Sequence, residues 1–332
     1  MRQALARHRF LLLALAVACA LPLAVRSGTL ATEVLIYALA ALGCNLLLGY
    51  TGLMSFGQGI FLGLGSYTAG LLLTRLDTSL PLTLLLALIV GALVAVVVGW
   101  LAIRQRGIYF VMLTLAFAHM FYFLAYTLTD WTGGDNGLLN IPRPPLKVFG
   151  LTLLPTREAW QYYTFVALVF LLVFWLLQRV ADSMFGRTLL AIRDSEARAA
   201  AVGYHVKLFK LMAFAISGAV TALAGALYAM LAGIAPLSSI EYHASETILV
   251  ITVIGGTGNL FASVLGAVFS VLTADWLSTL WPRWLLLLGL LLMAIALYMR
   301  QGLWGLGARL LGALRRPRVA ATDPSIPEGP AK

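Results

Sequence analysis

Long apolar runs separated by short polar stretches set the plan of this chain. They cover residues 10–25, 34–74, 81–103, 108–129, 159–178, 211–233, 247–274 and 284–299. A helix needs about 20 apolar residues to cross a hydrocarbon core of about 30 Å. Most of these runs therefore predict one span each, and the uncharged run 34–74 predicts two. Its break falls within 49–59, where Gly49, Gly52, Gly57 and Gly59 stand among Asn45, Thr51, Ser55 and Gln58. Backbone polar groups in lipid need internal partners, so this break must face protein or a cavity. Gly63, Gly65 and Gly70 predict close helix contact. The run 247–274 is interrupted by Gly255, Gly256, Thr257, Gly258 and Asn259. His119 lies near the middle of 108–129, and an ionisable residue at that depth is a functional candidate.

Charge orients these runs. The basic segments are 1–9, Arg104–Arg106, 179–210 and the tail with Arg315, Arg316 and Arg318. All four are expected in the cytoplasm. Counting crossings between them requires an even number from 247–274. That stretch is too short for two straight full spans, so a re-entrant pair or two short half-helices turning at 255–259 is expected. The total is about 8–10 transmembrane helices in an all-α polytopic membrane protein. The expected domains are a basic N-terminus (1–9), a transmembrane body (10–305) and a disordered cytoplasmic tail (306–332). The first run is expected as a retained span, and the Pro-containing loop 130–158 as external.

Composition agrees with that plan. Hydrophobic residues make up 61% of the 332 and charged residues 11%, which places the chain among polytopic membrane proteins. The formal charge of +10 is taken up by topology control, with no nucleic-acid partner expected. Cys19 and Cys44 lie in apolar runs and are expected as small buried hydrophobes. The chain has no Gly-Lys pair, so it cannot build the phosphate-cradling loop of an ATPase. It also lacks a Cys/His metal cluster and a G-x-S-x-G nucleophile signature. No catalytic residue, metal or bound cofactor is expected; ATP, if used, is bound by another chain.

One polar island interrupts this apolar chain: GRTLLAIRDSEARAAAVG, residues 186–203. Asp194 or Ser195 can cap a short helix, Glu196 suits its first turn, and Gly203 stops it. At about 8 residues, this helix is too short to cross a bilayer. Arg193 and Glu196 are within reach of each other, a local pair worth a few tenths of a kcal/mol. The island is either a solvated loop or a docking helix for a cytoplasmic partner.

The island and the KLFKLMAFAISGAVTALAGALYA that follows Val206 resemble the cytoplasmic coupling segment of LivM-type permeases. Further matches are GYTGLMSFGQGIFLGLGSYTAGLL, TGGDNGL, VIGGTGNLFASVLGAVF and RQGLWG. The resemblance implies the permease fold of ATP-binding-cassette importers for branched-chain amino acids, in the inner (plasma) membrane with both termini cytoplasmic. It implies a second, LivH-like permease, two cytoplasmic ATPases and an extracytoplasmic solute-binding protein as partners. Gly186, Arg187, Ala191, Ile192, Arg193, Asp194, Ser195, Glu196, Ala200 and Gly203 become the expected ATPase-coupling residues. Asn45, Thr51, Gly52, Ser55, Gln58, His119, Gly255, Gly256 and Asn259 are the translocation-pathway candidates. Similar permeases also serve urea, short amides and aromatic acids. The reading from another class is a secondary transporter or channel, which needs intramembrane charges that most of these runs lack. A short echo, TGLMSF at 51–56 against TGNLF at 257–261, suggests two related halves.

Overall fold

Apolar runs of this length can satisfy their backbone only as helices, and a helical bundle is what forms. A computed structural model describes residues 2–25, 27–148, 151–154, 158–280, 282–298 and 302–305. The helices are α1 (Arg2–Ala24), α2 (Gly28–Thr51), α3 (Gln58–Arg75), α4 (Leu80–Ala102), α5 (Ile108–Thr127), α6 (Thr129–Thr132), α7 (Ala159–Asp182), α8 (Met184–Asp194), α9 (Glu196–Ala201), α10 (Val206–Ala232), α11 (Tyr242–Gly255), α12 (Leu260–Leu280) and α13 (Trp284–Tyr298). Six of them are long and apolar enough to cross a membrane: α2, α4, α5, α7, α10 and α12. A two-stranded antiparallel hairpin, Leu146–Val148 with Leu151–Leu154, is the one departure from all-α among the described residues. The expected tail 306–332 lies outside the described residues.

Contacts between glycines and facing helices fix the directions. Gly28, at the start of α2, touches Ala159 and Trp160 at the start of α7. Gly49 and Gly52, at the end of α2, meet Gly258 and Arg193. The island and the 256–259 turn therefore share one side, and the α2–α7 start marks the other. Helix α12 rises from Gly258 to a cavity shared by Ser278 and Leu30. Helix α13 returns, bringing Gly302 against Gly256. Two five-helix runs of opposite direction result, α1–α5 and α7 with α10–α13.

In each run the chain reverses after a long helix and starts a shorter one inside the bundle. Residues 52–57 lead from α2 to α3, and residues 233–241 lead from α10 to α11. The two restarts meet, with Gly59 against Ile240, Glu241 and Ser245. The echo between 51–56 and 257–261 therefore pairs segments that do not correspond. The counterpart of 52–57 is 233–241, while 256–259 joins the next two helices of the second run.

Three expectations change. The stretch 247–274 does not form two short half-helices: α11 has 14 residues and α12 has 21, about 21 and 31 Å at 1.5 Å per residue. Charge does not bound these helices. Helix α11 begins before the uncharged run, with His243 and Glu246 paired at 3.3 Å, and α12 continues past Asp275. Residues 184–194 form a helix of their own ahead of the island helix. Cys44 is buried as expected, whereas Cys19 is exposed.

Helices α2 and α10 form the centre, and α5 lies at the periphery. Small residues let the central helices touch. A Cβ on Gly225 would lie 1.8 Å from the Leu62 carbonyl oxygen, and one on Gly65 would lie 1.9 Å from that of Ala222. Gly91 and Gly218 bring α4 onto α10 in the same way.

The helix directions are testable in a background with Cys19→Ser and Cys44→Ala. Cysteines placed at Asn140 and Ser278 should react with a membrane-impermeant maleimide on intact spheroplasts. Cysteines at Arg106 and Ser195 should react only after permeabilisation. Ser278 labelling together with Ser195 would contradict the direction of α12.

Candidate functional site

The end of α2 and the 256–259 turn, far apart in sequence, come together with the island at one side of the bundle. Helix α2 ends at Gly52, which adopts φ +73° as its C-cap and donates to the Leu48 carbonyl at 3.2 Å. A helix C-terminus leaves carbonyls without intrahelical partners and carries partial negative charge. Arg193, on the last turn of α8, answers this: its Nη1 donates to the Gly49 carbonyl. The Arg193 stem passes 3.3 Å from where a Cβ on Gly52 would stand, and its Nη1 lies 3.5 Å from the equivalent point on Gly258. Gly258 itself has φ +97°. The guanidinium thus occupies a notch that both glycines leave open.

Asn45 fastens the same turn from within the bundle. Its Nδ2 donates to the Asn259 carbonyl and to Ser263 Oγ, both at 2.8 Å, and its Oδ1 accepts from Gly258 N–H at 3.3 Å. Asn259 Oδ1 accepts from Phe261 N–H at 3.0 Å, holding the start of α12. Gly255 lets α11 pack on α12: a Cβ there would lie 2.1 Å from the Ala262 carbonyl oxygen. Gly256 ends α11 with φ +114°.

Between α2 and α3 the backbone leaves the helix but not the protein. Leu53 N–H is accepted by Thr51 Oγ1 at 3.4 Å, and Phe56 N–H by Thr114 Oγ1 at 3.2 Å. Gly57 N–H goes to Ser55 Oγ at 3.1 Å and Gly59 N–H to Ser245 Oγ at 2.7 Å. Gln58 is fully buried, donating to Ser217 Oγ at 3.0 Å and accepting from Thr221 Oγ1 at 2.8 Å. Asn45, Thr51, Ser55 and Gln58 are thus buried in protein-protein hydrogen bonds. His119 stands apart from them, exposed on α5.

The island divides into two faces. Gly186, Leu189, Ile192 and Ala199 are buried and hold it to the bundle; a Cβ on Gly186 would lie 2.1 Å from the Ala181 carbonyl oxygen. Arg187, Ala191, Asp194, Ala200 and Gly203 face outward, with Met184, Val202 and Tyr204 exposed beside them. Ser195 caps α9, its Oγ accepting from Arg198 N–H at 3.3 Å. Helix α9 has 6 residues, two fewer than expected. Glu196 pairs with Lys210 on α10, and Arg106 Nε approaches it to 3.6 Å. The expected Arg193–Glu196 pair is replaced by these longer-range contacts.

Sequence reasoning missed a cavity of about 620 Å³ at the opposite end, lined by Glu33, Tyr37, His243, Glu246, Ser270, Asp275 and Ser278 among others. Its three carboxylates come from α2, α11 and α12, so no local pattern announced it.

The family model described as branched-chain amino acid transport system, permease component, matches residues 27–297. The chain is 31% identical over 318 residues to the high-affinity branched-chain amino acid transport system permease protein LivM of Escherichia coli K12, covering 89% of this chain and 74% of that protein. LivM of Salmonella typhimurium is likewise 31% identical, over 314 residues with the same coverage. The autoinducer 2 import system permease protein LsrC of Escherichia coli K12 is 29% identical over 240 residues, 70% of this chain and 65% of that protein. No solved structure matches the chain.

The Asn45 contacts predict a stability effect. Asn45→Leu keeps the volume but leaves the Asn259 carbonyl and the Gly258 N–H without their partner, at a cost of about 1–3 kcal/mol for each group that stays dry. Thermal unfolding in detergent should show a lower midpoint for this variant than for wild type. Equal midpoints for wild type and Asn45→Leu would remove Asn45 from the architecture of the turn.

Proposed function

The chain belongs to the family of branched-chain amino acid transport permease components, and from that premise we propose that it is the membrane-spanning subunit of an ATP-binding-cassette importer for branched-chain amino acids or a related small solute. Two cytoplasmic ATPases supply the energy, and the outward face of α8–α9 is where one of them docks. A second, LivH-like permease completes the pathway, and a solute-binding protein delivers the solute on the side of the 130–158 loop. An ionisable residue at mid-membrane belongs against protein or water, and exposed His119 supports a reading in which the α5 face meets that second permease with the pathway between the two. Urea, short amides and aromatic acids remain alternative solutes, to be decided by the binding protein.

The observation that carries this reading is the Arg193 bond to the end of α2. It gives the island a mechanical connection into the bundle. A rigid-body displacement of α8–α9 by the ATPase reaches α2, the 52–57 segment and the 256–259 turn through this contact. Glu196, held by Lys210 and Arg106, ties the same movement to α10 and to the α4–α5 connection. Solute passage then follows from reorientation of these helices.

Two variants separate docking from transmission. Ala200→Trp places a large side chain on the outward face and touches nothing in α2. It should weaken ATPase association in pull-down or titration by tenfold or more. Arg193→Glu places a carboxylate against the Gly49 carbonyl at a helix C-terminus, unfavourable by about 1–2 kcal/mol. It should leave ATPase association near wild type yet reduce uptake per ATP hydrolysed in proteoliposomes by about tenfold. Arg193→Lys should restore part of the uptake. Wild-type uptake and binding-protein-stimulated hydrolysis in both Arg193→Glu and Ala200→Trp would reduce the island to a solvated loop.

A further inference from the structure

Where α4 and α10 meet they enclose a groove whose outer end, between Trp100 and Leu208, lies apart from the ATPase-docking residues of α8–α9 and whose inner end runs to α9. We propose that it binds the head group of an anionic phospholipid from the leaflet on the island side. Two adjoining cavities form it. One of about 510 Å³ is lined by Trp100, Ile103, Arg104, Lys207, Leu208 and Leu211. The other, about 770 Å³, shares Ile103, Arg104, Lys207 and Leu208 and continues to Arg106, Glu196 and Lys210, ending at Ala197 and Ala200 on the island and Tyr204 beside it.

The groove has a built floor and a sorted wall. At Gly99 a Cβ would lie 2.9 Å from Phe214 and 3.1 Å from Leu211, so α4 and α10 touch there. Their ends then carry Arg104 and Lys207 on either side. Each cation stands four residues, one helical turn, beyond an apolar wall residue: Arg104 beyond Trp100, and Lys207 on the outer side of Leu211. The Arg104 guanidinium lies 4.1 Å from the Trp100 ring centroid, which holds it at the mouth.

Charge selects the ligand. Arg104, Arg106, Lys207 and Lys210 line the larger cavity with a single carboxylate, Glu196. That carboxylate is already engaged by Lys210 and Arg106. Among the described residues neither Arg104 nor Lys207 forms an ion pair, so both present positive charge to the groove. A free anion would have no use for the apolar end. A soluble protein surface would have to descend past Trp100 and Leu208, exposed by 56% and 54% on the bundle's outer wall. A phospholipid meets both requirements: its phosphate sits between Arg104 and Lys207, and its acyl chains follow Trp100, Leu211 and the exposed Val97 and Met212.

The test uses the complete transporter in detergent, with phosphatidylglycerol or phosphatidylcholine added and retained lipid read by native mass spectrometry. A basic side chain near an anionic surface contributes about fivefold to binding, so two contribute about 25-fold. Wild type should retain phosphatidylglycerol over phosphatidylcholine, and Arg104→Gln/Lys207→Gln should lose that preference by about this factor. Arg179→Gln should retain it. Arg179 also sits over a tryptophan, 4.0 Å from the Trp175 ring centroid, but at the end of α7 and outside the groove. A second reading needs no charge variant: doxyl-labelled phosphatidylglycerol should quench Trp100 more than doxyl-labelled phosphatidylcholine, taken as the difference from Trp100→Phe. Four results would overturn the proposal. They are equal retention or quenching by both lipids, an unchanged double variant, release of phosphatidylglycerol by inorganic phosphate, or its retention only after the ATPases are stripped from the complex.

Discussion

Every backbone polar group inside a bilayer needs a partner within the protein, and residues 52–57 show what that constraint demands. Here the chain leaves one helix and starts another inside the bundle. The amides of Leu53, Phe56, Gly57 and Gly59, which lose helical partners here, each receive a side-chain hydroxyl. Thr51 serves from the last residue of α2, Ser55 from the segment itself, Thr114 from α5 and Ser245 from α11. The break thereby becomes the point at which elements of both halves must be present at once. The central pairing of α3 with α10 and α11 follows from it, as does the glycine pattern that permits their approach.

Much of this was legible in the sequence, and for a physical reason. A membrane forces apolar runs of helical length, so the main spans could be placed closely. Glycines mixed with Asn, Thr, Ser and Gln inside such runs located both breaks, at 49–59 and at 255–259. What stayed hidden depends on partners far apart in sequence. Asn45 with Ser263, Gly59 with Ser245 and the outer cavity of Glu33, Glu246 and Asp275 carry no local signature. The echo of 51–56 in 257–261 failed because string similarity does not track position within a repeat. The length of α12 was missed because Asp275 looked like a boundary.

The island was recognisable from its charge, but the direction of its side chains was not. Arg193 and Glu196 are three residues apart, which on a continuous helix would bring them together. Ser195 adopts an extended conformation between them, φ −164° and ψ 108°, and sends them to different neighbours. One reaches the end of α2, the other α10 and the α4–α5 connection. A segment that reads as surface decoration is thereby anchored at three places, and its outward face mixes the charges of Arg187 and Asp194 with small and apolar residues.

The tight contacts of Gly65, Gly225, Gly91 and Gly218 also bear on how sequences of this kind can diverge. Helices touching backbone to backbone leave no volume for a larger side chain, so this inner block tolerates little substitution. Helix α5 makes few such contacts and has no comparable restriction. Substitutions can therefore accumulate on the outer helices while the inner block keeps its geometry.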